Sequence, residues 1–184
     1  MPAVPLHMRE LPRDERGYPI PAMVQYDKAG KPLFPVIDMR KWFDLAQGRC
    51  CGVCGRPMRA QQGYWFVGGP LCFENHAFTD LPMHRECAVF SLKVCPFLAL
   101  PRFRYILRDV TLPDGTTVNV NEHVSTKRPE RFGLGKAVTY RVQMIVSDTN
   151  PGSPLLSVPP FELVEWWCNG ERIEGIASNA RYDT

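Results

Sequence analysis

The chain lacks an apolar stretch long enough to cross a bilayer. Its longest, AVFSLKVCPFLAL, is broken by Lys93 and Pro96 and falls short of the roughly 20 residues a spanning helix needs. The opening MPAVPLHMRELPRDERGYP is charged and proline-rich without an apolar leader core, so neither export nor membrane insertion is expected. An even cysteine framework is missing too. The count is seven, and three fall within residues 50–54, which argues for a metal-binding chain of the reducing cytoplasm rather than a disulfide scaffold. There is no internal repeat and no low-complexity tract beyond proline enrichment. Net charge is only +3, so charge alone assigns no nucleic-acid role.

The 184 residues make one generous domain or two small ones. With 45% apolar and 22% charged residues, a real core is within reach. Eighteen prolines, about twice the usual frequency, call for many short elements joined by stiff turns. Charge is unevenly spread: residues 40–141 carry +7 and residues 142–184 carry −4.

Residues 1–17 read as an arm: charged, proline-rich and aperiodic. MVQYD and PLFPVID form a hairpin around Gly30. Asp38 caps a helix, MRKWFDLAQ, whose Met39, Trp42, Phe43 and Ala46 recur at helical spacing, and Gly48 ends it. GYWFVGGP is strand-like and LCFENHAFTD a loop. Asp80 then caps a helix with Pro82 in its first turn, PMHRECAVFSLKVC, which Pro96 stops. Beyond Pro101 the pattern turns to strand. RFRYILRDVTL and TTVNV flank a Pro113-Asp114-Gly115 turn, AVTYRVQMIV is a strand and NPGSP a loop. Phe161, Val164, Trp167 and Cys168 share a helical face, which predicts a short helix ending at Asn169-Gly170, with a strand as the alternative. On that helix one of Trp166 and Trp167 lies in the core and the other near the surface, an anchor beside Glu162 and Glu165.

RCCGVCGRP, residues 49–57, is the densest chemical signal. A Cys-x2-Cys-Gly turn aims two thiolates at one point, which selects Cys51 and Cys54 and turns Cys50 elsewhere. His84 and Cys87, three apart at a helix start, share one face and supply the second pair. Cys72 and His76 are the competing second pair. A redox Cys-x-x-Cys would need a βαβ setting that the pattern lacks, and a purely packing role is the remaining alternative. Cys95, about 12 Å further along a helix, is assigned to packing. Four protein ligands leave no open position, so zinc bound by Cys51, Cys54, His84 and Cys87 is expected to be structural.

The order knuckle, strand, loop, then helix with ligands at its start resembles the treble-clef zinc fold, and the ligand set looks like half of a LIM domain. The expected class is therefore α+β: an arm over residues 1–17, a zinc module over 18–100, and a β-rich unit over 101–184 that ends in a short helix.

Residues 21–101 also resemble a family of uncharacterised small zinc-binding proteins of bacteriophages and bacteria. The resemblance rests on Pro21, Cys51-x2-Cys54-Gly55-Arg56-Pro57, Phe66-Val67-Gly68-Gly69-Pro70, Cys72, Pro82-Met83-His84-x2-Cys87-Ala88 and Cys95-Pro96-Phe97-Leu98. A weaker echo is Val164-Glu165-Trp166-Trp167 with Gly170 and Arg172. It implies zinc binding and a phage or prophage setting in the host cytoplasm.

Two function classes follow. One is a non-catalytic, zinc-stabilised accessory protein that binds a host macromolecule, as a protein partner in takeover or counter-defence, or as nucleic acid. Arg102, Arg104, Arg108, Lys127, Arg128 and Arg131 are the expected contact residues. Arg102 and Arg104 fall on the opposite strand face from Phe103 and Tyr105, which weakens the stacking platform single strands use. The other class is an enzyme of the metal-dependent HNH nuclease type, with His76, Asn75 and Asp80 as the candidate group, but its residue order is absent. Gly68-Gly69-Pro70 reads as a hairpin corner or, less specifically, a phosphate-approaching turn. No small-molecule cofactor is expected. A phage structural component is a third possibility that the sequence does not mark.

Overall fold

Tyr64–Gly68 forms strand β3, and its first four side chains are all buried. A strand buried on both faces needs cover on both, and the rest of the fold supplies it. The computed structural model describes residues 2–101, 109–119, 128–147 and 150–173. β3 pairs antiparallel with β7 (Phe132–Ala137), which pairs with β10 (Leu163–Cys168), which pairs with β11 (Glu171–Arg172). The sheet order is β11-β10-β7-β3. β3 thus joins segments from either side of Pro101 in one sheet, and one hydrophobic cluster draws on both.

Register assigns each side chain a face. Phe66 is opposite Gly135, Gly68 opposite Gly133, and Val164 and Trp166 oppose the same two glycines from the other side. A Cβ on Gly133 would lie 2.3 Å from the Phe73 ring, and one on Gly135 would lie 2.6 Å from both Phe161 and Phe73. The glycines therefore cut a trough in β7 that receives Phe73 and Phe161, whose rings sit 4.9 Å apart. Phe73 comes from α2 (Pro70–Glu74), a helical turn where a loop is expected. Phe78 comes from β4 (Ala77–Phe78) and packs on Phe66 at 5.0 Å.

The opposite face carries Trp65, Leu134, Glu165 and Trp167. It is covered by α3 (Arg85–Val94), which buries Cys87, Ala88, Phe90 and Leu92. α4 (Pro96–Ala99) follows directly. The expected cap at Asp80 is not used: the helix starts three residues after Pro82, with His84 as its N-cap residue. Residues 81–83 stay extended because Met83 exchanges two backbone hydrogen bonds with Trp65, at 2.8 and 3.2 Å.

The N-terminal expectations fare better. β1 (Val24–Tyr26) and β2 (Pro32–Ile37) form the hairpin, with Gly30 at φ 78° in its turn. Asp38 caps α1 (Met39–Gln47) by accepting from the amides of Arg40 and Lys41. Trp42 and Ala46 are buried, but Met39 is exposed. Gly48 ends the helix, yet the left-handed residue is its neighbour Arg49, at φ 53°.

The predicted C-terminal helix is instead a hairpin. Asn169 and Gly170 have φ of 50° and 83° and form the two-residue turn between β10 and β11. Both tryptophans find apolar cover on opposite faces of a strand, which a helix face could not offer. Glu165 is buried and ion-paired, so the expected acidic anchor does not exist in that form. The NPGSP loop is also a strand. It opens β9 (Asn150–Ser157), which pairs with β8 (Arg141–Ser147) on one side and with β4 only at Leu156 and Ser157. β5 (Asp109–Thr111) and β6 (Thr117–Asn119) flank the Pro113-Asp114-Gly115 turn as expected. Arg102–Arg108 lies outside the described residues. No helix among the described residues is long and apolar enough to cross a membrane.

Candidate metal centre

Residues 50–57 fold back on themselves. Cys50 bridges to Pro57, the Cys51 amide donates to the Arg56 carbonyl at 2.9 Å, and the Gly55 amide donates to the Cys51 carbonyl at 2.8 Å. Gly55 adopts φ 71°, the left-handed conformation a tight turn requires. The turn is pinned from outside by the Gly52 amide on the Pro82 carbonyl and by the amides of Ala22 and Met23 on the carbonyls of Val53 and Gly52. Gly52 lies so close to Leu81 that a Cβ would stand 2.7 Å from its side chain. The knuckle is thereby fastened to the extended stretch leading into α3.

That fastening brings four donor atoms together. The ligand atoms of Cys51, Cys54, His84 and Cys87 all lie within 4.8 Å of one another. A zinc tetrahedron with bonds of about 2.3 Å to sulfur has edges of about 3.8 Å, so the set is near that size. The Cys54 Sγ to His84 Nδ1 edge is 3.3 Å. Cys51 and Cys87 are wholly buried, Cys54 nearly so, and His84 is the most open of the four. His84 Nε2 lies 3.3 Å from the Pro57 carbonyl. With Nδ1 bare for a metal, Nε2–H donates to that oxygen and fixes the tautomer, as ligand histidines commonly require.

The sulfur chemistry fits a cation. Hydrogen bonds from the Cys51 and Cys87 thiols, helped by the Arg56 amide and His84, pull the Cys54 thiol down to about 2. Burial and the Cys54 sulfur push Cys51 up to about 11. Cys87 is raised by its hydrogen bonds with Cys51 and Cys54 and by burial. A divalent cation displaces the remaining protons and neutralises the buried charge. The residues present therefore fit a tetrahedral metal ion.

The adjacent cysteines are distinguished as expected. Cys50 turns away, and its Sγ donates to the Gly48 carbonyl at 3.3 Å. Cys72 and His76 do not join the converging group found among the described residues. The Cys72 thiol is raised by burial and packs near Gly68. His76 stacks on Phe161 at 5.7 Å and has a buried Nδ1.

Two neighbours of the site carried no sequence signal. His7, in a 3-10 turn over Leu6–Met8, stacks on the His84 ring at 4.5 Å and 14°. Arg85, between the two helix ligands, donates to buried Glu165 at 2.9 Å and lies over Trp65. Of the expected basic contact residues, Arg102, Arg104, Arg108 and Lys127 lie outside the described residues. Arg128 is half-buried and donates to the carbonyls of Phe97 and Leu98. Arg131 is exposed and lies 4.6 Å over the Trp166 ring.

No protein-family model, no curated protein and no solved structure matches the chain.

Proposed function

We propose that the chain is a zinc-stabilised binding protein without catalysis, of the phage accessory type, whose partner is a host protein. The observation that carries the reading is the closed Cys51, Cys54, His84 and Cys87 set. Three sulfurs and one imidazole favour zinc among common divalent ions, and four protein donors leave no position for a reacting water. A knuckle followed by a strand and a helix whose start bears two ligands is the treble-clef arrangement, which we adopt as the description of this module. The metal, when bound, supplies cross-linking and charge neutralisation. Cys51 and Cys54 hold the turn, His84 and Cys87 hold the start of α3, and Pro57 orients the imidazole.

His76 is occupied in packing, which argues against the nuclease alternative. The nucleic-acid alternative draws less support from Arg128, whose guanidinium is spent on backbone carbonyls. The phage setting and the host partner rest on the sequence resemblance. Elemental analysis of the purified protein should give one zinc per chain, and its absence would refute the metal assignment. Affinity capture from the host, with and without nuclease treatment, should retain a protein in both. A capture that vanishes with nuclease would move the reading to nucleic acid.

A further inference from the structure

β8 is an outer strand of the β4-β9-β8 sheet, and among the described residues no strand pairs with its other edge. Soluble proteins usually blunt such an edge with inward charges, lysines or proline. β8 has none of these between Val142 and Val146, and its one charge is Arg141 at the start. Residues 141–145 are all exposed, with Val142 at 41%, Met144 at 51% and Ile145 at 49%. The apolar face that Val142 and Met144 offer continues the core. Val142 stands opposite Leu156, which is wholly buried, and Met144 stands opposite Pro154.

We propose that this edge is an interface between two copies of the chain, with β8 pairing antiparallel to β8 of the second copy about Gln143. A two-fold interface demands a self-complementary surface, and Arg141–Ile145 has one. In this register Val142 faces Met144 of the other copy twice over, so one face gathers a four-member apolar cluster. On the other face Gln143 meets its own copy, where two amides pair, and Arg141 lies opposite Ile145. The two arginines end up at opposite ends of the paired segment, about 13 Å apart along the strand. A parallel pairing would instead set them side by side, where like charges repel. The register shift between Ile145 and Ser147 bends the strand there and limits the pairing to this stretch. The result is one continuous sheet through both copies. A contact this short lies at the small end of stable interfaces, so the association depends on concentration.

The test uses the full metal-loaded chain in reductant, so that cysteine cross-links do not contribute. Sedimentation velocity from low micromolar to near-millimolar protein should show a monomer–dimer equilibrium. Hydrogen exchange at the two extremes should show the amides of 141–145 slowing as dimer forms. Met144→Lys, at an exposed position, should keep the metal and raise the dissociation constant at least about tenfold. If that variant loses metal or structure, Val142→Thr with Met144→Thr takes its place. A chain that stays monomeric throughout overturns the proposal. So does a dimer whose 141–145 amides exchange as fast as in the monomer. Protection of those amides by a different protein, with no self-association, also overturns it and gives the edge another occupant. None of these readouts bears on whether the bound metal is zinc.

Discussion

The face of the four-stranded sheet that carries Trp65, Leu134, Glu165 and Trp167 is covered by α3, while the face that carries Phe66, Gly133, Gly135 and Trp166 is covered by the rings of Phe73, Phe78 and Phe161. The two covers are held by different forces. Helix α3 carries two candidate metal ligands at its start and is fixed there by the Arg85–Glu165 ion pair and by the backbone exchange between Met83 and Trp65. The aromatic layer carries no candidate ligand, and its polar fastening lies at its edge, in the Glu162 amide on the Lys136 carbonyl and the Lys136–Glu162 ion pair. It depends on shape, because its rings fill a trough that only glycine leaves open. Under the proposed metal assignment one face is conditional on a metal and the other on sterics, and each can be broken separately.

The largest effect is expected at the metal. Cys87→Ser or Cys51→Ser leaves a buried three-ligand set, and structural zinc contributes on the order of 10 kcal/mol in small modules. Residues 50–95 should lose their order in these variants, seen as loss of bound metal and of exchange protection in α3. Acid should do the same reversibly. The metal needs deprotonated sulfurs and a bare Nδ1, so protons compete with it and affinity falls as pH falls. Metal content measured across a descending pH series should fall in one step. Retention of metal in Cys87→Ser would break the comparison at its root.

Next is the aromatic face. Gly133→Val places a branched side chain into the Phe73 ring, and overpacking of that kind costs about 3 kcal/mol. The melting temperature should fall by a similar amount whether or not metal is present, with metal content unchanged. Equal loss of metal would mean the two faces are one cooperative unit.

A smaller effect is expected from Glu165→Gln. Its carboxylate is almost fully buried, but Arg85 remains about half exposed and can be rehydrated. The loss should be nearer 1 kcal/mol than the several expected for a fully buried pair, with slower metal uptake in stopped-flow assays as the start of α3 loosens. The smallest effect is Arg131→Ala, which removes an exposed cation from Trp166. It should cost under about 1 kcal/mol and leave both faces in place by thermal melt.

Much of the candidate metal site is legible in the sequence alone. Cys51-x2-Cys54-Gly55 and His84-x2-Cys87 are local patterns, and local geometry decides which sulfurs can converge within each pair. The β1–β2 hairpin and α1 were legible for the same reason, since Asp38 and Gly30 act on their immediate neighbours. The errors fall where the deciding partner is distant. Leu163–Cys168 has a plausible helical spacing, but β7 pairs with it and claims it as a strand. NPGSP, residues 150–154, looks like a loop until β8 pairs with it. The cap signal at Asp80 misplaces the start of α3 because Trp65, eighteen residues before Met83, holds residues 81–83 extended.

By itself the sequence determined that two candidate ligand pairs exist and which cysteine of the adjacent two points inward. These follow from residue type and short spacing, which the backbone reads directly. Only the tertiary structure decided that the two pairs meet, that Gly133 and Gly135 make room for Phe73 and Phe161, that Glu165 is buried against Arg85, and that His7 returns to stack on His84. Each of these joins residues tens of positions apart. Such contacts form only where the whole sheet, with both faces covered, fixes their distance, and no local preference along the chain encodes them.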